Sequence, residues 1–288
     1  RFTNAADAEL VVQIMSKNVL TLKPVPADAQ GFAIFCKESG IGWLKVAAAK
    51  KLAFLKGPFP RNQDLPKDAL IVGLPPAGCR KFVLSHAWGS EKHPSPGGEK
   101  LRRMLEVLSR LGAKDSDVIF FDYISYPQKA QYVPIEYYEH NAGCCKPQVN
   151  RTVDENNRFY YALWDMGRLY AYEKCEVVVL SDPDDAQQFP GQSGAWGRIN
   201  KDPYHQRGWC CAEYSIARYH GRIANNSDAE VVRTERARQW PTTVDQYASM
   251  MDEDAATPVN FTMKGDRDAV KYNFFKMCMG LQHGLQSP

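Results

Sequence analysis

The sequence lacks the features that mark a membrane protein or a common nucleotide-binding enzyme. No stretch of its 288 residues approaches the roughly 18 uninterrupted apolar residues of a membrane helix, and near-apolar runs such as 177–180 have the length of a strand. It contains neither a Walker phosphate-binding loop nor a G-x-G-x-x-G fingerprint. We therefore expect no membrane span, and neither a kinase nor an ordinary dehydrogenase.

The sequence also has no excess of charge of one sign. Lys and Arg number 36 against 33 Asp and Glu, and the net charge of +3 is too small to indicate a nucleic-acid partner by itself. The basic segment 233–238 could contact phosphates, although an exposed helix or loop face is the more common role of such a run. The composition therefore gives no clear signal for nucleic acid.

Metal-ligand spacing is missing as well. The eight cysteines include the adjacent pairs Cys144–Cys145 and Cys210–Cys211, but no two follow the C-x2-C spacing of structural zinc sites, so we expect no metal. Their spacing is not that of a small disulfide scaffold, and no secretory signal opens the chain. We therefore expect reduced thiols in a cytoplasmic protein. A nucleophilic pair of Cys210 with His86 stays open, because it depends on a lowered thiol pKa that a sequence cannot reveal.

After residue 80, apolar runs with the length of a strand alternate with segments that have the periodicity of a helix. Strands are expected near 82–85, 117–122 and 176–181, with a possible fourth at 230–234. Amphipathic helices are expected at 98–111, 156–172 and 209–219. Strands that are apolar throughout and separated by helices indicate an α/β fold with a parallel sheet covered on both faces.

This pattern divides the chain into three parts. Residues 1–80 form an N-terminal extension, with helical character at 5–20 and a Pro-rich linker. Residues 81–235 form the α/β domain, which carries a long insertion at about 129–155. Residues 236–288 are expected to be a C-terminal helical region, so that helical extensions flank the domain on both sides.

Polar and aromatic residues follow each predicted strand, where an α/β sheet binds its ligands. The three segments are Leu84-Ser-His-Ala-Trp-Gly, then Asp122-Tyr-Ile-Ser-Tyr-Pro-Gln128, then, beyond a polar loop, Arg207-Gly-Trp-Cys-Cys-Ala-Glu213. Their order resembles the HET domain of fungal incompatibility proteins, whose pattern reads approximately L-S-x-x-W-G, D-x-x-C-I-N-Q and R-x-W-x-x-x-E. It also resembles the TIR domain, where a strand ending in Leu-Ser opens the fold and a Trp-Cys-x-x-Glu helix follows a later strand.

The resemblance covers about residues 81–235 and implies a flavodoxin-like (TIR/HET-like) parallel sheet flanked by helices. Ser125 and Pro127 stand where the HET pattern has Cys and Asn. Many TIR domains cleave NAD+ between nicotinamide and ribose, and the resemblance places their catalytic helix glutamate at Glu213. NAD+ is then a substrate, and no cofactor is implied.

Glu213 fits this chemistry in physical terms. Cleavage of a glycosidic bond passes through an oxocarbenium-like transition state, which a nearby carboxylate stabilises. Nicotinamide already leaves as a neutral molecule from a cationic ring, so a separate general acid is not essential. The alternative interpretation of Glu213 is a first-turn glutamate that stabilises a helix N-terminus. Trp209, one helical turn earlier, could shield the carboxylate or pack on a ligand, or it could be a core anchor.

The remaining candidates each have a functional and a structural interpretation. Ser85 and His86 end the first strand at the mouth of the predicted cleft, where His86 could bind a phosphate or a ribose hydroxyl, or bond locally to a loop. Asp122 could bind ribose hydroxyls or accept from nearby backbone N–H groups. Arg207 could neutralise a pyrophosphate or form a surface ion pair. The other two candidate ligand contacts are Trp88 and Gln128.

Two function classes follow from the sequence. The first is a domain that cleaves NAD+ or a related nucleotide at the nicotinamide–ribose bond. The second is a non-catalytic signalling or scaffold module that acts through self-association or protein partners, with the polar loop at 181–192 and the insertion as contact surfaces. A polar cleft that holds the glutamate favours the enzyme, whereas a cleft blocked by Trp88 favours the module.

Overall fold

The computed structural model describes residues 29–54, 58–129, 150–182, 197–252, 255, 257–261 and 266–279. The helix predicted at 5–20, most of the 129–155 insertion, and nearly all of the polar loop at 181–192 lie outside these ranges. In the part of the chain that the structure describes, no helix is both long enough and apolar enough to cross a membrane.

The described residues form a central sheet and a set of helices around it. The strands are β1 Gly42–Lys45, β2 Leu70–Val72, β3 Lys81–His86, β4 Val118–Phe120 and β5 Cys175–Leu180. The helices are α1 Ala29–Ser39, α2 Val46–Ala53, α3 Glu99–Arg110, α4 Asp122–Ser125, α5 Val153–Asp165, α6 Gly167–Ala171, α7 Gly208–Tyr219, α8 Ala229–Ala237, α9 Val244–Met250 and α10 Asp266–Met279. This arrangement confirms the α/β class.

The sheet has the strand order β2-β1-β4-β3-β5 and is mixed. Strand β3 pairs in parallel with β4 on one side and with β5 on the other, as the apolar runs predict. Strand β1 is antiparallel to both β4 and β2. The three predicted strands are therefore correct, and two more strands join them from the segment interpreted as an extension.

Strand β1 belongs to the core of the domain although it precedes residue 80. Trp43 and Leu44 are fully buried, one on each side of the sheet. The strand has only four residues and runs directly into α2, which is rich in Ala and Lys. The sequence around the strand therefore shows the composition of a helix more clearly than the alternation of a strand. The boundary near residue 80 therefore does not coincide with the edge of the sheet.

Two predicted elements differ in the structure. The strand proposed at 230–234 is wrong, because these residues lie in α8 and the buried Val231 and Thr234 have the i, i+3 spacing of a helix face. The helix predicted at 156–172 is divided into α5 and α6 at Met166. The amide of Gly167 donates to Asn273 Oδ1 at 3.0 Å, so the backbone bonds to α10 at this break.

Successive strand residues enter two separate hydrophobic layers. Val83, Val177 and Val179 pack with the aromatic residues of α1, α6, α7 and α10 on one face of the sheet. Phe82, Leu84 and Val178 pack with α2 and α3 on the other face. This period of two follows from the pleat of a strand, and it decides where the polar residues at the end of β3 point.

Candidate functional site

Ser85 and His86 are adjacent in β3 and therefore lie on opposite faces of the sheet. Ser85 lies on the face covered by α7, where its hydroxyl meets Glu213. His86 lies on the other face, where its ring stands edge-on to Phe121 with centroids 4.7 Å apart. The end of one strand thus supplies a polar group to each side of the sheet.

Glu213 is surrounded by hydroxyl groups. Ser85 Oγ donates to Glu213 Oε2 at 2.6 Å, and the same Oγ lies 2.5 Å from Tyr204 Oη. The Tyr170 hydroxyl, in α6, also interacts with the carboxyl group and lies 3.4 Å from the carbonyl oxygen of Leu84. Ser85, Tyr170 and Tyr204 are all buried. The carboxyl group therefore has several neutral donors around it and no hydrogen bond from a cationic side chain among the contacts described.

Burial raises the pKa of Glu213 to about 8, from an ordinary value of 4.5. The negative charge of Asp122 raises it further, whereas the hydrogen bonds from Ser85 and Tyr170 lower it. Glu213 is the sixth residue of α7, beyond the first turn. The interpretation of Glu213 as a charge that stabilises the helix N-terminus is therefore not supported.

Asp122 lies in a different environment at the start of α4. Its Oδ1 accepts from the backbone N–H of Tyr123 at 2.7 Å and lies 3.0 Å from His86 Nε2. Its Oδ2 accepts from Trp88 Nε1 at 2.8 Å. Desolvation opposes ionisation, but the interaction with His86 and these hydrogen bonds outweigh it and hold the pKa of Asp122 below its ordinary value.

The two carboxyl groups are both crowded by protein atoms and both partly accessible. The Asp122 side chain keeps 34% of its surface accessible, although desolvation by surrounding protein is the largest influence on its pKa. Glu213 likewise retains some accessible surface while protein atoms crowd its carboxyl group. The negative charge of Asp122 also raises the pKa of Glu213, so the two carboxyl groups interact electrostatically.

Three other predicted residues hold the loops around Asp122. Trp88 is partly exposed, and its Nε1 donates to the Asp122 carboxyl group. Gln128 is buried and donates to the carbonyl oxygens of Asp122 and Tyr126. Arg207 donates to the carbonyl oxygens of Trp88, Asn200 and Asp202. Arg207 is thus neither a surface ion pair nor a free cation, and its guanidinium fastens two loops together.

The contacts described for Trp209 are with α10 and the core, and none of them involves Glu213. Trp209 Nε1 donates to Asp266 Oδ2 at 3.0 Å, at the start of α10, and the indole ring packs against the core. The contacts described for Trp209 therefore match the core-anchor interpretation.

Gly208, the first residue of α7, makes a second contact with the same C-terminal region. Its N–H donates to the carbonyl oxygen of Asn260 at 2.8 Å. A Cβ added at Gly208 would lie 2.0 Å from the ring of Phe261, so any larger residue would require that ring to move.

The structure does not favour Cys210 as a nucleophile. Burial raises the pKa of its thiol well above the ordinary value, and Glu213 raises it further. The thiol donates to the backbone carbonyl of His86 at 3.4 Å. A reactive cysteine requires the opposite shift, so these contacts do not support a catalytic Cys210–His86 pair.

Two residues that the sequence did not indicate contact the site. Tyr204 precedes the Arg-x-Trp segment by a few positions and belongs to no motif, and Tyr170 has the spacing of a core residue in a helix. Both became visible only through the contacts of Ser85 and Glu213 with their hydroxyl groups. His86 Nδ1 is buried without a hydrogen-bond partner among the described residues.

The donor set does not indicate a metal centre. Over the residues described, no three His, Cys, Asp or Glu side chains are grouped so that they could hold a metal ion.

Comparisons of the chain with protein-family models, with curated proteins and with solved structures found no match.

Proposed function

We propose that the chain contains a flavodoxin-like domain of the TIR/HET kind that cleaves NAD+ at the nicotinamide–ribose bond, with Glu213 as the catalytic carboxylate. The observation that carries the proposal is the contact of Ser85 with Glu213 at the carboxyl end of β3. The parallel strands occur in the order second, first, third along the sheet, as in flavodoxin-like folds. In that order, ligands bind outside the ends of the first and third strands.

The environment of Glu213 suits a cationic substrate. With a pKa of about 8, much of the free protein holds this group as a neutral acid at pH 7. A positively charged nicotinamide ring beside the carboxyl group favours its ionised form. The group then carries its negative charge next to the developing oxocarbenium ion, in surroundings with little water, where the charge has its largest effect.

The proposed reaction balances without a cofactor. The bond between the ribose C1′ and the nicotinamide nitrogen breaks, its electron pair moves to that nitrogen, and neutral nicotinamide leaves. Water then adds to C1′ and releases one proton, for which the Glu213 carboxylate or solvent is the acceptor. Because the ionised form of Glu213 acts, we expect kcat/KM to rise with pH up to about 8.

The test is release of nicotinamide from NAD+ by concentrated protein. We expect Glu213→Gln to lower the rate by about two to three decades, the equivalent of roughly 3–4 kcal/mol, because the amide keeps the shape and loses the charge. Glu235→Gln is the matched control, since Glu235 also accepts from a tyrosine hydroxyl, that of Tyr214. Wild-type activity that survives Glu213→Gln would remove Glu213 from the mechanism.

One observation favours the second function, a non-catalytic interaction module. Both oxygens of Asp122 already accept from protein donors, and Arg207 donates to three backbone carbonyls. Part of the predicted ligand-binding set is thus used to hold the protein itself together. A wild type that releases no nicotinamide under conditions that allow self-association would favour this function.

A further inference from the structure

A chain of hydroxyl groups leads from the protein interior to Glu213. Tyr204 Oη lies 2.5 Å from Ser85 Oγ, which lies 2.6 Å from Glu213 Oε2. Ser85 is completely buried and Tyr204 is 2% exposed, so water does not readily replace either partner. The chain joins three elements: β3, the short 3-10 turn Tyr204–Gln206, and α7.

The number of hydrogens on each group decides which hydroxyl donates to which in this chain of hydroxyl groups. An ionised carboxylate only accepts, so the single hydrogen of Ser85 must point to Glu213 when that group is charged. The Ser85 oxygen is then an acceptor for Tyr204, whose own hydrogen points to it. When Glu213 is protonated, Ser85 can instead accept from the acid. Ser85 can then donate to Tyr204, so the direction of this bond reverses. Tyr204 is therefore a donor to Ser85 when Glu213 is charged, and hydrogen bonds that support a charged group are the stronger ones.

We propose that Tyr204 is a positioning residue, which donates to Ser85 and so fixes the Ser85 hydroxyl as a donor to the ionised Glu213. Its consequence for catalysis rests on the proposed NAD+ cleavage, whereas its effect on the ionisation of Glu213 does not. Tyr204 acts through Ser85 and does not touch the substrate. Bonds of this kind to the charged form are one of the general means by which a protein shifts an ionisation.

The backbone and the packing hold Tyr204 in place independently of its hydroxyl. The 3-10 turn begins after Pro203 and closes with a bond from Gln206 N to Pro203 O. The ring packs edge-on against Tyr214, with centroids 6.2 Å apart. Phenylalanine at position 204 should therefore keep the ring in place and remove only the donor.

The other groups near Glu213 stay unchanged in this substitution. Tyr170 contributes its own hydrogen bond from α6, and Asp122 adds negative charge beyond the end of β4, where it pairs with His86. Cys210 lies on the same helix as Glu213. From α10, Asp266 binds Trp209, and no contact of it with Glu213 is described. A changed ionisation of Glu213 can thus be assigned to the Tyr204–Ser85 chain.

The experiment follows the protonated carboxyl group of Glu213 by its infrared C=O band, assigned by its loss in Glu213→Gln. We expect Tyr204→Phe to move the ionisation midpoint up by about 0.5–1 pH unit, the equivalent of one ordinary hydrogen bond. Ser85→Ala interrupts the same chain at its middle and should shift the midpoint at least as far. The double variant should match Ser85→Ala. Tyr214→Phe, a buried tyrosine bonded to Glu235, is the control and should leave the midpoint unchanged.

Two results would overturn the proposal: an unmoved midpoint in Tyr204→Phe, or shifts that add in the double variant. Should Tyr204→Phe not fold, an unmoved midpoint in Ser85→Ala overturns it equally. The infrared titration needs no turnover, so an inactive wild type with the expected shift refutes NAD+ cleavage and leaves the hydroxyl chain standing. In an active protein, the rise of kcat/KM with pH should move up by the same amount.

Discussion

Glu213 contacts the end of β3 and Asp122 follows the end of β4, and the environments of the two carboxyl groups differ in almost every respect. The partners of Glu213 are the neutral hydroxyls of Ser85 and Tyr170, and burial raises its pKa to about 8. Asp122 is paired with His86 and accepts from Trp88, and its pKa lies below the ordinary value although burial opposes this. Crowding by protein is thus common to both, and the charge and number of the donors decide the direction of the shift.

The comparison indicates two different roles for the two carboxyl groups. A carboxyl group that changes protonation near neutral pH can respond to a ligand, whereas one that stays ionised holds its neighbours in place. Environments that drive two carboxyl pKa values apart are typical of sites with distinct chemical roles. Three substitutions or conditions test this contrast, beginning with the one that should have the largest effect on stability.

The first test is the pH dependence of stability. Between pH 4.5 and about 8 the folded protein holds a proton on Glu213 that the unfolded chain has released. The free energy of unfolding should therefore fall as pH rises through this window and become level above it. Relative to wild type, Glu213→Gln should be more stable by about 2–4 kcal/mol at pH 9, and this difference should vanish near pH 4. Urea unfolding at four or five pH values measures it.

Glu235→Gln provides the control here too, because it should show no such pH-dependent gain. If Glu213→Gln and wild type keep a constant difference in stability from pH 4 to pH 9, the carboxyl group ionises normally. The contrast with Asp122 would then be lost.

The second test is Asp122→Asn. An amide can accept at one position only, so either His86 or Trp88 loses its partner, and we expect a loss of about 1–2 kcal/mol at pH 7. Because the pKa of Asp122 is lowered in the folded state, this loss should shrink as the pH falls below about 4. Removing the negative charge should also lower the ionisation midpoint of Glu213. Unfolding curves and the infrared titration measure the two effects.

The direction in which the Glu213 midpoint moves distinguishes Asp122→Asn from Tyr204→Phe. Asp122→Asn should move the Glu213 midpoint down, whereas Tyr204→Phe should move it up. An unchanged midpoint in Asp122→Asn would mean that the charge of Asp122 does not act on Glu213.

The smallest effect is expected from Trp209→Phe. The ring is partly buried and its Nε1 bonds to Asp266, so the loss should be about 0.5–1.5 kcal/mol of stability. The Glu213 midpoint and any nicotinamide release should stay at wild-type values. A decrease in activity with unchanged stability would restore Trp209 as a ligand contact.

The parallel part of the sheet was predictable because its strands are buried on both faces. Runs such as Val177–Val179 are apolar at every position, which is the pattern of a parallel strand. Strand β1 was not predictable, since four residues cannot establish an alternation. At 230–234, two adjacent valines suggested a strand, but the structure buries Val231 and Thr234 together on one side of a helix.

The site was predictable where it follows strand ends and not where it depends on loops. Ser85 and Glu213 meet because one ends β3 and the other lies on the helix that covers the same face of the sheet. Tyr204 and the carbonyl-binding role of Arg207 depend on a turn whose path no local pattern specifies. Residue spacing can place a side chain on an element, but it cannot say which neighbour a loop will bring to it.

The fit of Gly208 beneath Phe261 has a consequence for where the folding unit ends. The sequence pattern that resembles TIR and HET domains ends near residue 235, yet the start of α7 is completed by the ring of Phe261 and the carbonyl of Asn260. A protein shortened to that pattern would keep Ser85 and Glu213 and lose the support of the helix that brings them together. The contacts that hold the start of α7 therefore extend beyond the motifs, into the C-terminal region.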